Sequence, residues 1–364
     1  MRILYGVQGT GNGHLSRSRV VAKALAKHDI QVDYFFSGRQ PEQFFDMQAF
    51  GDYRVCAGLT FVTQKGRVSI PKTLMHNSAI ELWRDIRELD LSGYDLLLND
   101  FEPVSAWAAR RQGVPSIGIS HQASLKYPVP KVGNSWFNDW LLENFAPVVQ
   151  ALGCHWHHFG YPILPPFVDV SRCAVEHSHD ILVYLPFESP QAIAELLHPF
   201  HDYRFMVYHS QAAPVALPEH ILWHGFDREG FKADLASCGG VIANAGFELA
   251  SEALTLGKKL LVKPLLGQFE QLSNVAALEL LAAADSMMTL EPQTVKRWLK
   301  RGSPEPINYP DVGDLLVPWL LAGNWQDSQS LCRELWQQVT LPDTWFSKQD
   351  ARALSGLPLG SLIR

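Results

Sequence analysis

The chain has 364 residues, of which 47% are hydrophobic and 19% charged, and its formal net charge is −6. This length and composition are typical of two globular domains, and the negative balance argues against general nucleic-acid binding. Five scattered cysteines without CxxC spacing predict reduced thiols. No apolar run has the length of a signal peptide core or a transmembrane helix, so we predict a cytoplasmic protein without a transmembrane segment.

A strand, a glycine-rich loop and a helix open the chain. The apolar run Ile3 to Val7 leads into glycines at positions 9, 11 and 13, and His14 stands where the loop meets the helix. Glycine allows positive φ and close backbone approach, and a helix start offers free N–H groups, so this loop is suited to an anion. Its spacing is neither GxGxxG nor a Walker motif. A tight turn with a capping histidine is the alternative.

Apolar strands alternate with helices through the rest of the first half. Strands are predicted at 30–36, 53–56, 59–63, 94–99 and 116–119, and helices at 73–88 and 104–111. This alternation predicts a parallel sheet with helices on both faces. Ligands of such sheets lie beyond the carboxyl ends of the strands, so polar residues at these ends should meet in one crevice. Those residues are Asp100, Glu102, His121 and Gln122.

The same alternation restarts after a proline-rich segment, 159–166, which we interpret as an interdomain linker. Strands are predicted at 180–185, 203–208, 221–224, 240–243 and 259–263, and helices at 190–198, 230–238, 246–256, 270–283 and 326–339. The predicted fold class is therefore α/β, with two doubly wound, Rossmann-like domains facing each other across a cleft. The expected division is 1–160, 161–340 and a C-terminal tail, 341–364.

A second group of polar residues follows two strands of the second half. Gly246 comes just after a buried strand and opens a helix that carries Glu248 and Glu252 on one face. The next strand is followed by a helix start bearing Glu270, Gln271 and Asn274. Helix starts combined with a carboxylate that can bind a ribose diol indicate nucleotide binding without a Walker motif. The alternative for Glu248 and Glu252 is a solvated helix face.

These motifs resemble those of GT-B glycosyltransferases of the kind that includes the lipid II N-acetylglucosaminyltransferase (family 28). More closely, they resemble a group of predicted bacterial and archaeal glycosyltransferases that begins with GxGxGHxxR. The resemblance runs from the first strand to about residue 285. The matching residues are Gly9, Gly11, Gly13, His14, Arg17, His121, Gln122, Gly246, Ser251, Glu252, Glu270, Gln271 and Asn274.

The resemblance implies a GT-B fold and a role for several matching residues. Glu252 would contact the nucleotide ribose, and Glu270 with Gln271 the donor sugar, with Asn274 on the same side. The loop around Gly11 and Gly13 would approach the diphosphate and the acceptor. Glu270 stands where the family has the first residue of a sugar-binding Gln pair. Arg17, His121 and Gln122 would lie on the acceptor side.

We expect an inverting reaction that uses neither a metal nor a cofactor. The chain has no Asp-x-Asp triplet, which metal-dependent transferases of the other large class use. Direct displacement assisted by a base inverts the anomeric centre. The candidate bases are His14 first, because imidazole exchanges protons near neutral pH, then Asp100 and Glu102.

The expected donor is a nucleotide-diphosphosugar, with UDP as the nucleotide and a hexose or N-acetylhexosamine as the sugar. Phe226 would cover the uracil, and packing in the core is its alternative. The acceptor, carbohydrate or lipid-linked, is not identified by the sequence, and peripheral membrane contact stays open.

Two other functions remain open. One is a UDP-sugar 2-epimerase of the same architecture, for which Asp100, Glu102 and Glu270 could surround the sugar ring. The other is a non-catalytic protein that binds a nucleotide sugar. The histidines at 155–158 and 177–179 fit an ordinary polar edge better than a metal site, and the basic run 296–301 fits a solvated helix face better than a lipid contact.

Overall fold

The computed structural model of the protein describes residues 1–59, 63–64, 67–68, 78–170, 178–342 and 345. Its first half contains a seven-stranded parallel sheet in the order β3-β2-β1-β6-β7-β8-β9. β4 and β5 form a separate antiparallel hairpin. The strands are β1 (Arg2–Gln8), β2 (Gln31–Ser37), β3 (Tyr53–Cys56), β4 (Thr63–Gln64), β5 (Arg67–Val68), β6 (Leu96–Asp100), β7 (Ser116–Ser120), β8 (Gln150–Cys154) and β9 (Ile163–Leu164).

Helices cover both faces of this sheet, which is why its central strands are apolar along almost their whole length. The apolar face predicted for the first helix, including Val21 and Leu25, is buried in the core. The helices of this half are α1 (Asn12–Leu25), α2 (Ala79–Glu88), α3 (Pro103–Gln112), α4 (His121–Ser124) and α5 (Trp136–Asn144).

The second half repeats the plan with a six-stranded parallel sheet in the order β12-β11-β10-β13-β14-β15. The strands are β10 (Asp180–Tyr184), β11 (Arg204–Tyr208), β12 (Ile221–His224), β13 (Gly240–Asn244), β14 (Lys259–Lys263) and β15 (Asp285–Ser286). The helices that accompany them are α6 (Pro190–Leu197), α7 (Arg228–Ser237), α8 (Phe247–Thr255) and α9 (Phe269–Leu280). The predicted fold class, α/β with two doubly wound sheets, is confirmed.

Three further helices bring the chain back to the first half: α10 (Pro292–Leu299), α11 (Val312–Ala322) and α12 (Ser328–Trp336). α11 packs closely against α1, since a Cβ on Gly313 would lie 2.5 Å from the Cβ of Ala24. α12 packs against β9, where the Trp336 Nε1 donates to the Ile163 carbonyl at 2.6 Å. The division of the chain at residues 160 and 340 stays a prediction.

The proline-rich segment 159–166 is more than a linker. Ile163 and Leu164 form β9, the edge strand of the first sheet, and both are fully buried. The linker interpretation is therefore corrected for this part of the segment, because a two-residue strand has no sequence pattern of its own. Most of the strand predicted at 59–63, the start of the helix predicted at 73–88, and all of the tail except 341, 342 and 345 lie outside the described residues.

Candidate active site

A cavity of about 980 Å³ lies between the two sheets, where loops at the carboxyl ends of strands from both halves meet. This is the crevice that the strand ends predict. Eleven of the fourteen predicted site residues line it: Gly11, Gly13, His14, Arg17, His121, Gln122, Phe226, Gly246, Glu252, Glu270 and Gln271. The other three, Asp100, Glu102 and Asn274, are buried beside it.

The glycine loop between β1 and α1 is built for close approach. The Gly9 N–H donates to the Ser37 carbonyl at 2.6 Å, and a Cβ on Gly9 would lie 2.7 Å from that oxygen. A Cβ on Gly13 would lie 3.0 Å from the Glu248 Cγ of the second half. None of the three loop glycines has positive φ, so that expectation is wrong here. Gly11 precedes α1 in an extended conformation and no side chain caps the helix.

His14 and Asp100 form a hydrogen-bonded pair at the wall of the cavity. The His14 Nδ1 lies 2.7 Å from the Asp100 Oδ1, and the His14 side chain is 13% exposed while that of Asp100 is fully buried. The Arg17 Nη2 lies farther from the same Nδ1, at 3.1 Å, so we assign the Nδ1 proton to His14 on the shorter contact with the carboxylate. The Nε2 has no hydrogen-bond partner among the described residues, and this leaves its lone pair free.

Arg17 holds Asp100 from the other side. Its Nε and Nη2 donate to the two oxygens of Asp100 at 2.8 and 2.7 Å, a bidentate ion pair. Burial raises the pKa of Asp100, but the charges of Arg17 and His14 outweigh burial and the pKa lies below its ordinary value. Asp100 therefore stays ionised and orients the imidazole. It does not line the cavity, so it is placed as the partner of His14 rather than as an alternative base.

Arg17 also joins the two halves of the molecule. Its Nη1 donates to the Glu248 carboxylate on α8, and both side chains are at least nine-tenths buried. One guanidinium thus faces two carboxylates, and burial raises the pKa of Glu248 to about 8. Glu248 is not on a solvated face, which corrects that alternative.

Glu102 has a different role from the one predicted. Its carboxylate caps α3, accepting from the Val104 and Ser105 N–H groups at 2.8 and 2.6 Å, and it also accepts from the Ser37 hydroxyl at 2.7 Å. It is fully buried and does not line the cavity. These contacts argue against Glu102 as a base.

With Asp100 also outside the cavity lining, only Glu270 of the three carboxylates considered for an epimerase can reach a sugar there.

Two hydrogen bonds connect the motif after β7 with α9. The His121 Nε2 lies 2.6 Å from the Asn274 Oδ1, and the Gln122 Nε2 donates to the Glu270 Oε2 at 3.0 Å. Asn274 in turn donates to the Ala245 carbonyl at 2.9 Å. The Oε1 of Gln122 is buried without a hydrogen-bond partner in the described structure. A buried acceptor of this kind calls for a donor, such as a water molecule or a ligand group.

On the side of the second half, the cavity is bordered by helix starts and a carboxylate. Gly246 precedes α8 without a side-chain cap, so the first N–H groups of the helix are free to donate. Glu252 lines the cavity, and burial raises its pKa to about 7. The Gln271 Oε1 accepts from the Leu265 N–H at 2.8 Å. Phe226 is 47% exposed, so its core alternative is wrong.

Sequence reasoning missed a polar contact that links the glycine loop to the second half. The Asn12 Nδ2 donates to the Tyr184 hydroxyl at 3.1 Å, and Asn12 accepts from the Arg39 Nη2 at 2.9 Å. Arg39 follows β2, where a dinucleotide site has an acidic residue. The sequence shows a basic residue at this position, but only the tertiary structure shows which groups Arg39 contacts.

No group of three or more His, Cys, Asp or Glu side chains suited to a metal ion occurs in the described part of the chain. In the histidine cluster, the Nδ1 atoms of His155, His157 and His158 accept backbone N–H groups at 2.9 to 3.0 Å. Among the helices of the described residues, none is both long and apolar enough to cross a membrane.

Solved structures define the class of the fold. UGT89C1 of Arabidopsis thaliana, complexed with UDP, is 14% identical over 98% of both chains, with a TM-score of 0.57. UGT2 of Phytolacca americana, complexed with UDP-2-fluoro-glucose and pterostilbene, is 16% identical over 92% of this chain and 93% of that chain, with a TM-score of 0.53. MurG of Acinetobacter baumannii is 15% identical over 98% of this chain and 99% of that chain, with a TM-score of 0.50. The fold is GT-B, a two-domain fold that these glycosyltransferases share.

The family follows from the sequence itself. The model of glycosyl transferase family 1 matches residues 1–142 and 160–302, and the chain belongs to that family. It is therefore a glycosyltransferase. No curated protein matches the chain.

Proposed function

We propose that this enzyme is an inverting, metal-independent glycosyltransferase that moves a hexose or N-acetylhexosamine from a UDP-linked donor to a hydroxyl acceptor. The observation that carries the proposal is the His14–Asp100 pair at the wall of a cavity bordered by the helix starts of α1 and α8. Support for UDP comes from the Arabidopsis and Phytolacca structures, which hold UDP and UDP-2-fluoro-glucose.

His14 is the proposed base. Its Nε2 takes the proton of the acceptor hydroxyl while the acceptor oxygen attacks the anomeric carbon. The bond from that carbon to the diphosphate oxygen breaks, and UDP leaves with the electron pair. A single displacement of this kind inverts the anomeric centre. The buried Asp100 carboxylate keeps the imidazole in place and stabilises the positive charge that it gains.

The donor is held by the second half in this proposal. The uncapped start of α8 at Gly246 donates N–H groups to the diphosphate, and Gly11 with Gly13 lets the start of α1 approach it from the opposite side. These helix starts stabilise the leaving charge, and the chain lacks the Asp-x-Asp triplet of metal-dependent transferases.

The remaining donor contacts are assigned by position. Glu252 binds the ribose diol, and Phe226 covers the uracil. Glu270 and Gln271, in the first turn of α9, bind the hydroxyls of the sugar, and Asn274 fixes His121 beside them. Glu270 replaces the Gln of the lipid II enzyme at this point, so transfer of N-acetylglucosamine is only one member of the proposed class of reactions.

On the acceptor side, the three predicted residues have unequal parts. Arg17 is paired with Glu248, and His121 is hydrogen-bonded to Asn274. We therefore propose that both residues hold neighbouring side chains in position rather than contact the acceptor. Gln122 lines the cavity, and its buried Oε1 has no partner among the described residues, so we assign Gln122 to a hydrogen bond with a sugar hydroxyl.

His14→Ala tests the proposal. Release of UDP from UDP-glucose and UDP-N-acetylglucosamine is measured with a cell extract as the source of acceptors. We expect the rate to fall about 10²- to 10⁴-fold while the UDP affinity from calorimetry stays within about twofold. His198→Ala, at an exposed histidine that follows α6, is the matched control. Full activity of His14→Ala would remove the base from this mechanism.

A further inference from the structure

One stretch of the first-half wall of the cavity is apolar, although Asn138 also lines the cavity on α5 and further polar side chains line it around the glycine loop. Beyond His14, this stretch is lined by Leu59, Phe101, Leu125, Phe137, Leu141 and Phe145. Phe101, Leu141 and Leu59 pack against the small core cluster that contains Phe145. These six residues form the apolar wall, and none of their side chains has a hydrogen-bonding group. Sugar hydroxyls buried against it would lose water without gaining partners, at a cost in free energy.

The backbone of Phe101 ties the apolar wall to the reacting centre. Phe101 directly follows Asp100 and has φ 53°, a left-handed conformation that bulky residues rarely adopt. Its ring lies 4.9 Å from that of Phe145, centroid to centroid, in a stacked arrangement. The strained backbone therefore places an aromatic ring in the cavity one residue away from the partner of His14.

The apolar wall continues to the outside of the molecule along α5. Phe137 lines the cavity and is nevertheless 50% exposed. Its ring lies 6.1 Å from that of Trp136 and 6.2 Å from that of Trp140, and both tryptophans are more than half exposed. A chain that runs along the wall can leave the cavity over these rings without losing apolar contact. A closed pocket for a small aromatic molecule would end before this point.

We infer that the acceptor is an amphiphile whose hydroxyl group lies at His14 and whose hydrocarbon chain follows the apolar wall past Phe101 and Leu141 and out over Phe137 and Trp140. This inference rests on the proposed function, because it takes the hydroxyl at His14 as the attacking group. It specifies the acceptor class, which neither the family nor the solved structures identify for this chain.

Binding of alkyl glucosides tests the inference. Octyl, decyl and dodecyl β-D-glucopyranoside, each below its micelle concentration, are titrated into the full-length protein in the presence of UDP, with D-glucose as the polar reference. We expect the affinity to rise up to about fourfold per added methylene, because each fully buried methylene adds roughly that factor. Equal binding of glucose and dodecyl glucoside, or no dependence on chain length, would overturn the inference.

Phe137→Ser locates the chain. Because Phe137 is half-exposed, its replacement is expected to leave the fold intact, and we expect dodecyl glucoside to bind about tenfold more weakly, as for the loss of a partly buried aromatic contact. Val215→Ser, at a residue that is 98% exposed and does not line the cavity, should change nothing. Unchanged binding by Phe137→Ser would contradict the assigned path.

A UDP titration separates this inference from the proposed function. If UDP does not bind but the affinity for the glucosides still rises with chain length, the proposed function alone is refuted. If UDP binds but the affinity for the glucosides does not depend on chain length, the amphiphilic acceptor alone is refuted. Dodecyl glucoside held in phosphatidylcholine vesicles is compared with the free glucoside. Tighter binding in vesicles indicates a membrane-held acceptor, equal binding indicates a free one, and both support an amphiphile.

Discussion

At the scale of single residues, the site depends on a few buried charges that each contact more than one partner. Arg17 is fully enclosed and faces Asp100 and Glu248 at once, and Asp100 also holds His14. Such a set is stable only while each buried charge keeps its partners. The types of these residues were readable from the sequence. Their pairing was not, because Asp100 is 86 residues from His14 and Glu248 is 231 residues from Arg17 along the chain.

Glu252 gives a prediction with a defined sign in pH. Burial raises its pKa from 4.5 to about 7 in the folded protein. The folded state thus holds a proton that the unfolded chain loses near pH 4.5, so this group's contribution to stability is full below that pH and is lost as the pH rises through about 7. Glu252→Gln should therefore be more stable than the wild type at pH 8, by roughly 1–3 kcal/mol, and close to equal at low pH.

Urea denaturation of both proteins at pH 5, 6, 7 and 8 checks this result. Glu229→Gln, at the exposed start of α7, serves as the control because no shift in stability with pH is expected from a solvated side chain. A constant difference between wild type and Glu252→Gln across this range would show that Glu252 does not titrate in the folded state as described.

At the scale of elements, the passage from β1 to α1 depends on one glycine more than on its neighbour. A Cβ at Gly9 would meet the Ser37 carbonyl at 2.7 Å and the Phe44 ring at 2.6 Å, and the backbone oxygen cannot move aside cheaply. A Cβ at Gly11 would meet only the His14 Cδ2, at 3.8 Å. We predict that Gly9→Ala lowers the free energy of unfolding by about 1–3 kcal/mol and that Gly11→Ala changes it by less than about 1 kcal/mol.

Urea midpoints of the two variants at pH 7.5 give the comparison. Equal loss of stability in both would mean that the loop does not approach β2 as closely as the geometry requires.

The elements that the sequence predicted differ physically from those it did not. Strands in the middle of a parallel sheet are continuous apolar runs, so β6, β7, β10 and β13 fell within two residues of their predicted positions. β9 has only two residues and exists through its pairing with β8. α11 is apolar on nearly every side and contains Pro318, so it has no helical period. Tertiary packing decides such elements, and a single sequence does not display it.

At the scale of the whole molecule, the two halves are joined by polar contacts across the cavity, and Arg17 is central to them. Its replacement by Met would leave the buried carboxylates of Asp100 and Glu248 without their cation. We predict a loss of about 3–5 kcal/mol in the free energy of unfolding at pH 8. The loss should be smaller at pH 5, because the pKa of Glu248 is raised and its carboxyl is then protonated.

Thermal and urea unfolding at the two pH values measure this. Lys27→Met is the control, since Lys27 pairs with Asp314 at an exposed site and its loss should change stability little. A loss of similar size in both variants would contradict the central position of Arg17.

The geometry of parallel sheets explains how much of this site the sequence predicted. Strand ends converge by topology, so fourteen residues were expected to share one crevice, and eleven of them line the cavity of the structure. The sequence could not give the relative orientation of the two halves, and that orientation creates the Arg17–Glu248 and His121–Asn274 contacts. For the same reason it could not separate Glu102, a helix cap, from Asp100, the partner of His14.

The central claim is that the cavity binds the nucleotide of the donor without a metal, and calorimetric titration with UDP tests it most directly. The titration is carried out once with about a fivefold molar excess of EDTA over the protein and once with Mg²⁺. NADP is the comparison ligand. We predict one UDP per chain with the same affinity in both buffers, weakened by Glu252→Gln, and no binding of NADP. UDP binding that requires Mg²⁺, or binding of NADP alone, would contradict the account.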